Sequence, residues 1–190
     1  NDKFDAWPSI NDWYETIKLN YGVDYVGGCE KHFHPIPDTW QKMLHILLFW
    51  SSKNIDGFRC DMAEMVPAEF WAWAIPQVKE QYPHVIFIAE VYNPNEYRNY
   101  LFHGQFDYLY DKVGLYDTLR ALVCGQESAT SIQRCWQSLG GIEKRMLNFL
   151  ENHDEQRIAS DYFAGNGIKA IPGMIVSACM NTNPVMIYFG

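Results

Sequence analysis

Short apolar runs recur along this chain, each followed by a stretch of helical period, and that alternation constrains the fold more than any other feature. Strand-like runs lie at 55–61, 85–89, 106–110, 146–150 and 184–189. Helical periodicity marks 38–52, where Trp40, Met43, Leu44, Leu47 and Leu48 share a face, and 67–81, which carries Phe70, Trp73 and Val78. Asp38 or Thr39 is placed to cap the first of these helices. Further helices are expected near 94–102, within 115–138 and at 168–181. Short buried strands alternating with helices build parallel βα units, in a doubly wound sheet or a closed barrel. No Gly-rich phosphate loop follows any strand, which argues against a dinucleotide fold.

The unit count narrows the choice. A (β/α)8 TIM barrel needs eight strands and about 250 residues, whereas five strands are found in 190 residues. An open half-barrel would leave sheet edges that normally pair. The expectation is an α/β chain holding about the last five βα units of such a barrel, strands 4 to 8, within 38–190. Residues 1–37 are turn-rich, with Pro8, Gly22, Gly27, Gly28, Pro35 and Pro37, and are expected to be the tail of an inserted loop or small domain.

Composition excludes some partners. With 23 acidic and 15 basic side chains the net charge is −8, which repels phosphate backbones and anionic membranes, so no nucleic-acid role is expected. The longest apolar stretch, near 44–50, is too short to span a bilayer. Compartment and oligomeric state stay open. Five cysteines, at 29, 60, 124, 135 and 179, form no C-x-x-C pair and read as mostly buried thiols. The run Cys29-Glu30-Lys31-His32-Phe33-His34 lacks a partner pair at ligand spacing, so no metal site is read there. Aromatic residues make up 16% of the chain; most suit a packed core, and some suit stacking on sugar faces.

Three carboxylates stand where a barrel does chemistry. Asp61 ends the first strand, Glu90 follows Val-Ile-Phe-Ile-Ala, and Asp154 follows Asn148-Phe149-Leu150-Glu151-Asn152-His153. Their separations, 29 and 64 residues, are about one and two βα units, so all three fall at the catalytic, carboxyl end of their strands. Any one of them alone reads as well as a cap for the next helix; three in register do not. Arg59, two residues before Asp61, shares its strand face and is placed to hold it ionised.

These segments resemble the α-amylase family, glycoside hydrolase family 13. Asp56-Gly57-Phe58-Arg59-Cys60-Asp61 is similar to its fourth-strand segment, Ile86-Phe87-Ile88-Ala89-Glu90 to its fifth, and Asn148 to Asp154 to its seventh. Lys18-Leu19-Asn20-Tyr21 is a weaker match to the segment after its inserted domain. The resemblance implies Asp61 as the nucleophile, Glu90 as general acid and base, and Asp154 as the residue that binds sugar hydroxyls, with Arg59 and His153 assisting. Tyr92 and Asn93, just past Glu90, are expected to line the cleft, while Trp71 and Trp73 are expected to pack the helix and Tyr97 stays a cleft candidate. The reaction would be two-step retention, which needs the Asp61 and Glu90 carboxyls about 5–5.5 Å apart and a protonated Glu90.

The pattern departs from the family in two places. No segment matches the third-strand one, which supports truncation and an inactive isolated fragment. After Asp61 the chain reads Met62-Ala63-Glu64-Met65 in place of a small residue and Lys-His, which loosens the assignment of acceptor. The expected activity is hydrolysis of α-1,4-glucosidic bonds in starch-like glucans or maltooligosaccharides. The alternatives are a transglycosylase, debranching enzyme or sugar phosphorylase with the same triad, or a non-catalytic homologue. No cofactor is visible; the resemblance allows calcium in the full-length protein, without a ligand set here.

Overall fold

The computed structural model describes Trp7, Ser9 and residues 19–189. The expected excursion over 1–37 and the Lys18 match therefore lie partly outside the described residues. Within them, β1 (Val23–Asp24) and β2 (Glu30–Lys31) form a small antiparallel hairpin, whose turn is closed by Asp24 Oδ1 accepting from the amides of Val26 and Gly27.

Helix α1 runs Asp38–Ser51. Neither Asp38 nor Thr39 caps it. Pro37 takes the N-cap position with no side-chain cap bond, because its ring already fixes the φ that leads into the first turn. Asp38 instead lies within that turn, where a negative charge favours the helix N-terminus.

Four of the five expected strands form one parallel sheet. β3 (Gly57–Cys60), β4 (Ile86–Ala89), β5 (Tyr108–Tyr110) and β6 (Met146–Leu147) lie side by side in sequence order. The fifth run, 184–189, makes one parallel bridge, Asn148 to Val185, with Ile187 and Phe189 left exposed. Apolar content alone marked it as a strand, but a ladder also needs neighbours, and among the described residues it has one.

Helix α2 (Ala68–Gln81) follows β3 and tolerates Pro76 inside it. The helix expected near 94–102 appears as a 3-10 turn, Pro94–Glu96, and a π turn, Asn99–His103. The one or two helices expected over 115–138 are two, α3 (Asp117–Val123) and α4 (Thr130–Leu139), and α5 (Ile171–Cys179) is shorter than the 168–181 expected.

The core sits between α1, α2 and the sheet. Trp40, Phe70, Trp71, Val78, Phe87 and Phe106 are buried there, with Phe70 edge-on to Trp71 at 4.9 Å and Trp71 edge-on to Phe106 at 4.9 Å. Burial of a Phe side chain contributes about 1.5–3 kcal/mol, so this aromatic stack fixes α2 against β4. Trp71 and Trp73 thus pack the helix, Trp73 against Trp40 at 5.6 Å. Tyr97 is buried, and the pocket it borders, with Pro94, Arg98 and Ile142, includes none of the three acids.

The cysteines differ from expectation. All five are free, and while Cys60 and Cys135 are buried, Cys124 is half-buried and Cys29 and Cys179 are exposed. Cys29 lies in the turn of the β1–β2 hairpin and Cys179 ends α5. No helix among the described residues is long and apolar enough to cross a membrane.

Candidate active site

Strand register places the acids. Gly57 pairs with Ile86 and Cys60 with Ala89, and the Glu90 amide donates to the Cys60 carbonyl at 3.1 Å. Asp61 and Glu90 are each the first residue past their strands, so they leave adjacent strands at one level. Close approach at the other end of this pair needs Gly57, where an added Cβ would lie 2.5 Å from the Ile86 carbonyl oxygen.

Arg59 joins the acids. Its Nη1 donates to Asp61 Oδ1, its Nη2 lies 2.8 Å from Glu90 Oε1, and the same Nη2 is 4.0 Å from Asp154 Oδ2. One planar guanidinium thus faces all three carboxyls. Tyr110, at the end of β5, supports it from below: Arg59 Nε donates to Tyr110 Oη at 3.2 Å, and the guanidinium lies 5.2 Å from the ring centre. Burial pulls the Arg59 pKa down, but the bonds to Asp61 and Tyr110 and the charge of Glu90 outweigh it and hold the group above its ordinary range. Arg59 stays cationic.

The two acids of the pair sit in different surroundings. Glu90 is 2% exposed, whereas the Asp61 side chain is 74% exposed. Both Glu90 oxygens act as acceptors: Oε1 takes the Tyr92 hydroxyl at 2.8 Å, and Oε2 takes the Met62 amide at 2.8 Å. Met62 can aim that amide because its backbone is left-handed, with φ of 41°, a conformation uncommon outside glycine. Burial first, then the bond to Glu90 and the charges of Glu90, Asp154 and Glu155, push the Tyr92 hydroxyl above its usual range. Tyr92 therefore keeps its proton and remains a donor.

Asp154 and His153 stand at the exposed rim, with His153 Nε2 3.1 Å from Asp154 Oδ2. Buried Asn152 holds that turn, its Oδ1 accepting from the amides of Asp154 and Glu155 at 2.9 and 2.8 Å. Asn93 is exposed beside Tyr92, but its side-chain oxygen accepts from the Asn95 amide at 3.1 Å and caps the next turn. So the structure gathers Asp61, Glu90, Asp154, Arg59 and Tyr92, sets His153 beside them, and gives Asn93 a local structural task.

Two residues of the site escaped the sequence reading. Tyr110 figured only as the last residue of the strand expected at 106–110. Glu64 registered only as a departure from a motif, yet its carboxylate accepts the amides of Tyr92 and Asn93, each at 3.1 Å. A lone acid in the loop after Asp61 was the available signal. Beneath the site, burial raises the Cys60 thiol to about 12 against the opposing charge of Arg59, so it is chemically inert. Among the described residues no three His, Cys, Asp or Glu side chains converge as metal ligands would.

Carboxylates at the carboxyl ends of adjacent parallel strands, bound to one arginine, define a βα-barrel enzyme class of site. No family model matches the chain. The α-1,4-glucan:maltose-1-phosphate maltosyltransferase of Cereibacter sphaeroides is 38% identical over 91 residues, 45% of this chain and 15% of that protein. An α-amylase from Lactobacillus plantarum superposes with a TM-score of 0.71 at 24% identity, over 95% of this chain and 42% of that one. A debranching enzyme from Nostoc punctiforme does so with a TM-score of 0.66 at 22% identity, over 83% of this chain and 37% of that one. The chain thus spans less than half the length of each of these three proteins. At under 25% identity, the likeness to these solved structures shows the fold, an α/β arrangement of the TIM-barrel kind.

Proposed function

We propose that this chain carries the catalytic acids of a retaining enzyme acting on α-1,4-glucosidic bonds. The observation that carries the reading is the single Arg59 guanidinium reaching both Asp61 and Glu90. Two carboxyls held that close suit the roughly 5–5.5 Å spacing of a nucleophile and its acid partner; an inverting pair needs room for an intervening water. Exposed Asp61 attacks the anomeric carbon while Glu90 gives its proton to the departing glycosidic oxygen, leaving a glycosyl ester on Asp61. Glu90 then takes a proton from the incoming acceptor as the acceptor oxygen displaces Asp61. The arrangement in which both Glu90 oxygens accept hydrogen bonds fits that second, basic stage. Asp154 and His153 at the rim would orient sugar hydroxyls.

Water as acceptor gives hydrolysis of starch-like glucans or maltooligosaccharides, our preferred reading. The likeness to a maltosyltransferase favours a second, in which a sugar hydroxyl is the acceptor. The order of units, with four parallel strands and the Val185 bridge after a small hairpin, supports strands 4 to 8 of the barrel preceded by the tail of an insertion. The test is to incubate the intact protein with a linear maltooligosaccharide and follow product size and anomeric form by NMR. Shorter α-anomeric products first are expected, and Asp61→Asn should lower turnover by about 10³-fold or more. Longer products would shift the reading to transfer, and β-anomers first would refute retention.

A further inference from the structure

We propose that Glu64 is the positioning residue for Glu90, locking the acid and nucleophile loops together in a reciprocal clasp. This rests on the reading of Asp61 and Glu90 given above. The loop after β3 donates to the acid after β4, through Met62 N–H to Glu90 Oε2 at 2.8 Å. The loop after β4 donates to an acid after β3, through the amides of Tyr92 and Asn93 to the two oxygens of Glu64 at 3.1 Å each. Tyr92 closes the circuit by donating its hydroxyl to Glu90 Oε1 at 2.8 Å.

Glu64 is itself anchored. It sits on the 3-10 turn Ala63–Met65, and its carbonyl accepts from the Tyr100 hydroxyl at 3.0 Å, a hydroxyl that also reaches the Val66 carbonyl at 2.8 Å. A carboxylate accepting two successive amides fixes the backbone direction of that segment. It therefore fixes where the Tyr92 ring leaves the chain, and so where the hydroxyl meets Glu90. The hydrogen bonds of Glu64 run to Tyr92, Asn93 and Tyr100, so it acts on Glu90 through Tyr92.

This assigns a task to a residue at which the chain departs from the pattern of the family it resembles, and the task concerns proton delivery. Misplacing Glu90 weakens protonation of the leaving oxygen, a contribution of about 10²–10⁴-fold. A leaving group that departs without a proton should not feel the loss. The experiment compares kcat/KM of wild type, Glu64→Ala and Glu64→Gln in the intact protein on a maltooligosaccharide and on α-maltosyl fluoride. Glu64→Ala is expected to fall by about 10–100-fold on the oligosaccharide and by under about 3-fold on the fluoride. Glu64→Gln, which keeps one acceptor, should recover part of the loss and serves if the alanine variant does not fold. Equal losses on both substrates would overturn the inference and leave Glu64 a purely structural residue. A wild type inert on both would instead bring down the functional reading itself, and the inference with it.

Discussion

Asp111→Asn should make the protein more stable, by an amount that depends on pH in a defined way. Asp111 is 2% exposed at the end of β5, where its Oδ1 accepts the Leu115 amide at 2.8 Å. Burial above all, and the charge of Asp117, lift its pKa from 3.8 to about 6 against the opposing Leu115 bond. Below pH 3.8 both folded and unfolded chains are protonated at this site and it costs nothing. As pH rises, the unfolded chain ionises first, so stability is lost progressively until the folded carboxyl follows at about 6. The shift of about two units, at 1.36 kcal/mol each, sets the loss at roughly 3 kcal/mol as an upper bound. Asparagine keeps an acceptor for Leu115 and cannot ionise. Urea denaturation midpoints of both proteins from pH 4 to 8 read the difference. The curves should meet near pH 4, diverge to about pH 6 and run parallel above it, with the variant higher. A variant no more stable at pH 7 than at pH 4, relative to wild type, would refute the argument.

Two other substitutions follow from the geometry. Arg59→Lys replaces a planar fork with a point charge that meets one carboxyl at a time, and kcat/KM should fall about 10²-fold with the thermal midpoint nearly kept. Gly57→Ala drives a methyl to within 2.5 Å of Ile86 Cγ1 and the Ile86 carbonyl oxygen, so β3 must part from β4; a loss of about 1–3 kcal/mol in urea unfolding is expected, together with lost turnover because Asp61 and Glu90 share that register.

The sequence carried the acids and the strands beneath them for a common reason. An apolar run ending abruptly in a carboxylate is a one-dimensional signal, as at Ile86–Ala89 before Glu90. Helices α1 and α2 were legible from the spacing of Trp40, Leu44, Phe70 and Val78, which recurs with the helical turn. What escaped depends on neighbours. Whether 184–189 becomes a full strand is decided by what lies on either side of it. The stretch 94–102 has helical content, but Asn93 caps a turn at Pro94 and the backbone then winds into a π turn rather than an α-helix. Tyr110 and Glu64 acquire their tasks only when β5 is set beside β3 and the loop after β4 is laid over the loop after β3. Pro37, not Asp38, stands at the start of α1 because local backbone preference and side-chain capping compete, and the sequence does not rank them.

The left-handed turn at Met62, with φ of 41°, also limits where this molecule can change. It brings one amide back to Glu90 within a single residue of Asp61, so the stretch from Cys60 to Glu64 has a fixed length, and the stretch from Ala89 to Asn93 is its counterpart. A residue added or removed inside either would shift one hook of the clasp past its eye. The Tyr100 hydroxyl carries the tie further, holding the Glu64 and Val66 carbonyls from beyond Asn93. Diversity in what this scaffold accepts should therefore enter as grafts outside 60–66 and 89–100, leaving a length-invariant hinge plate around the chemistry.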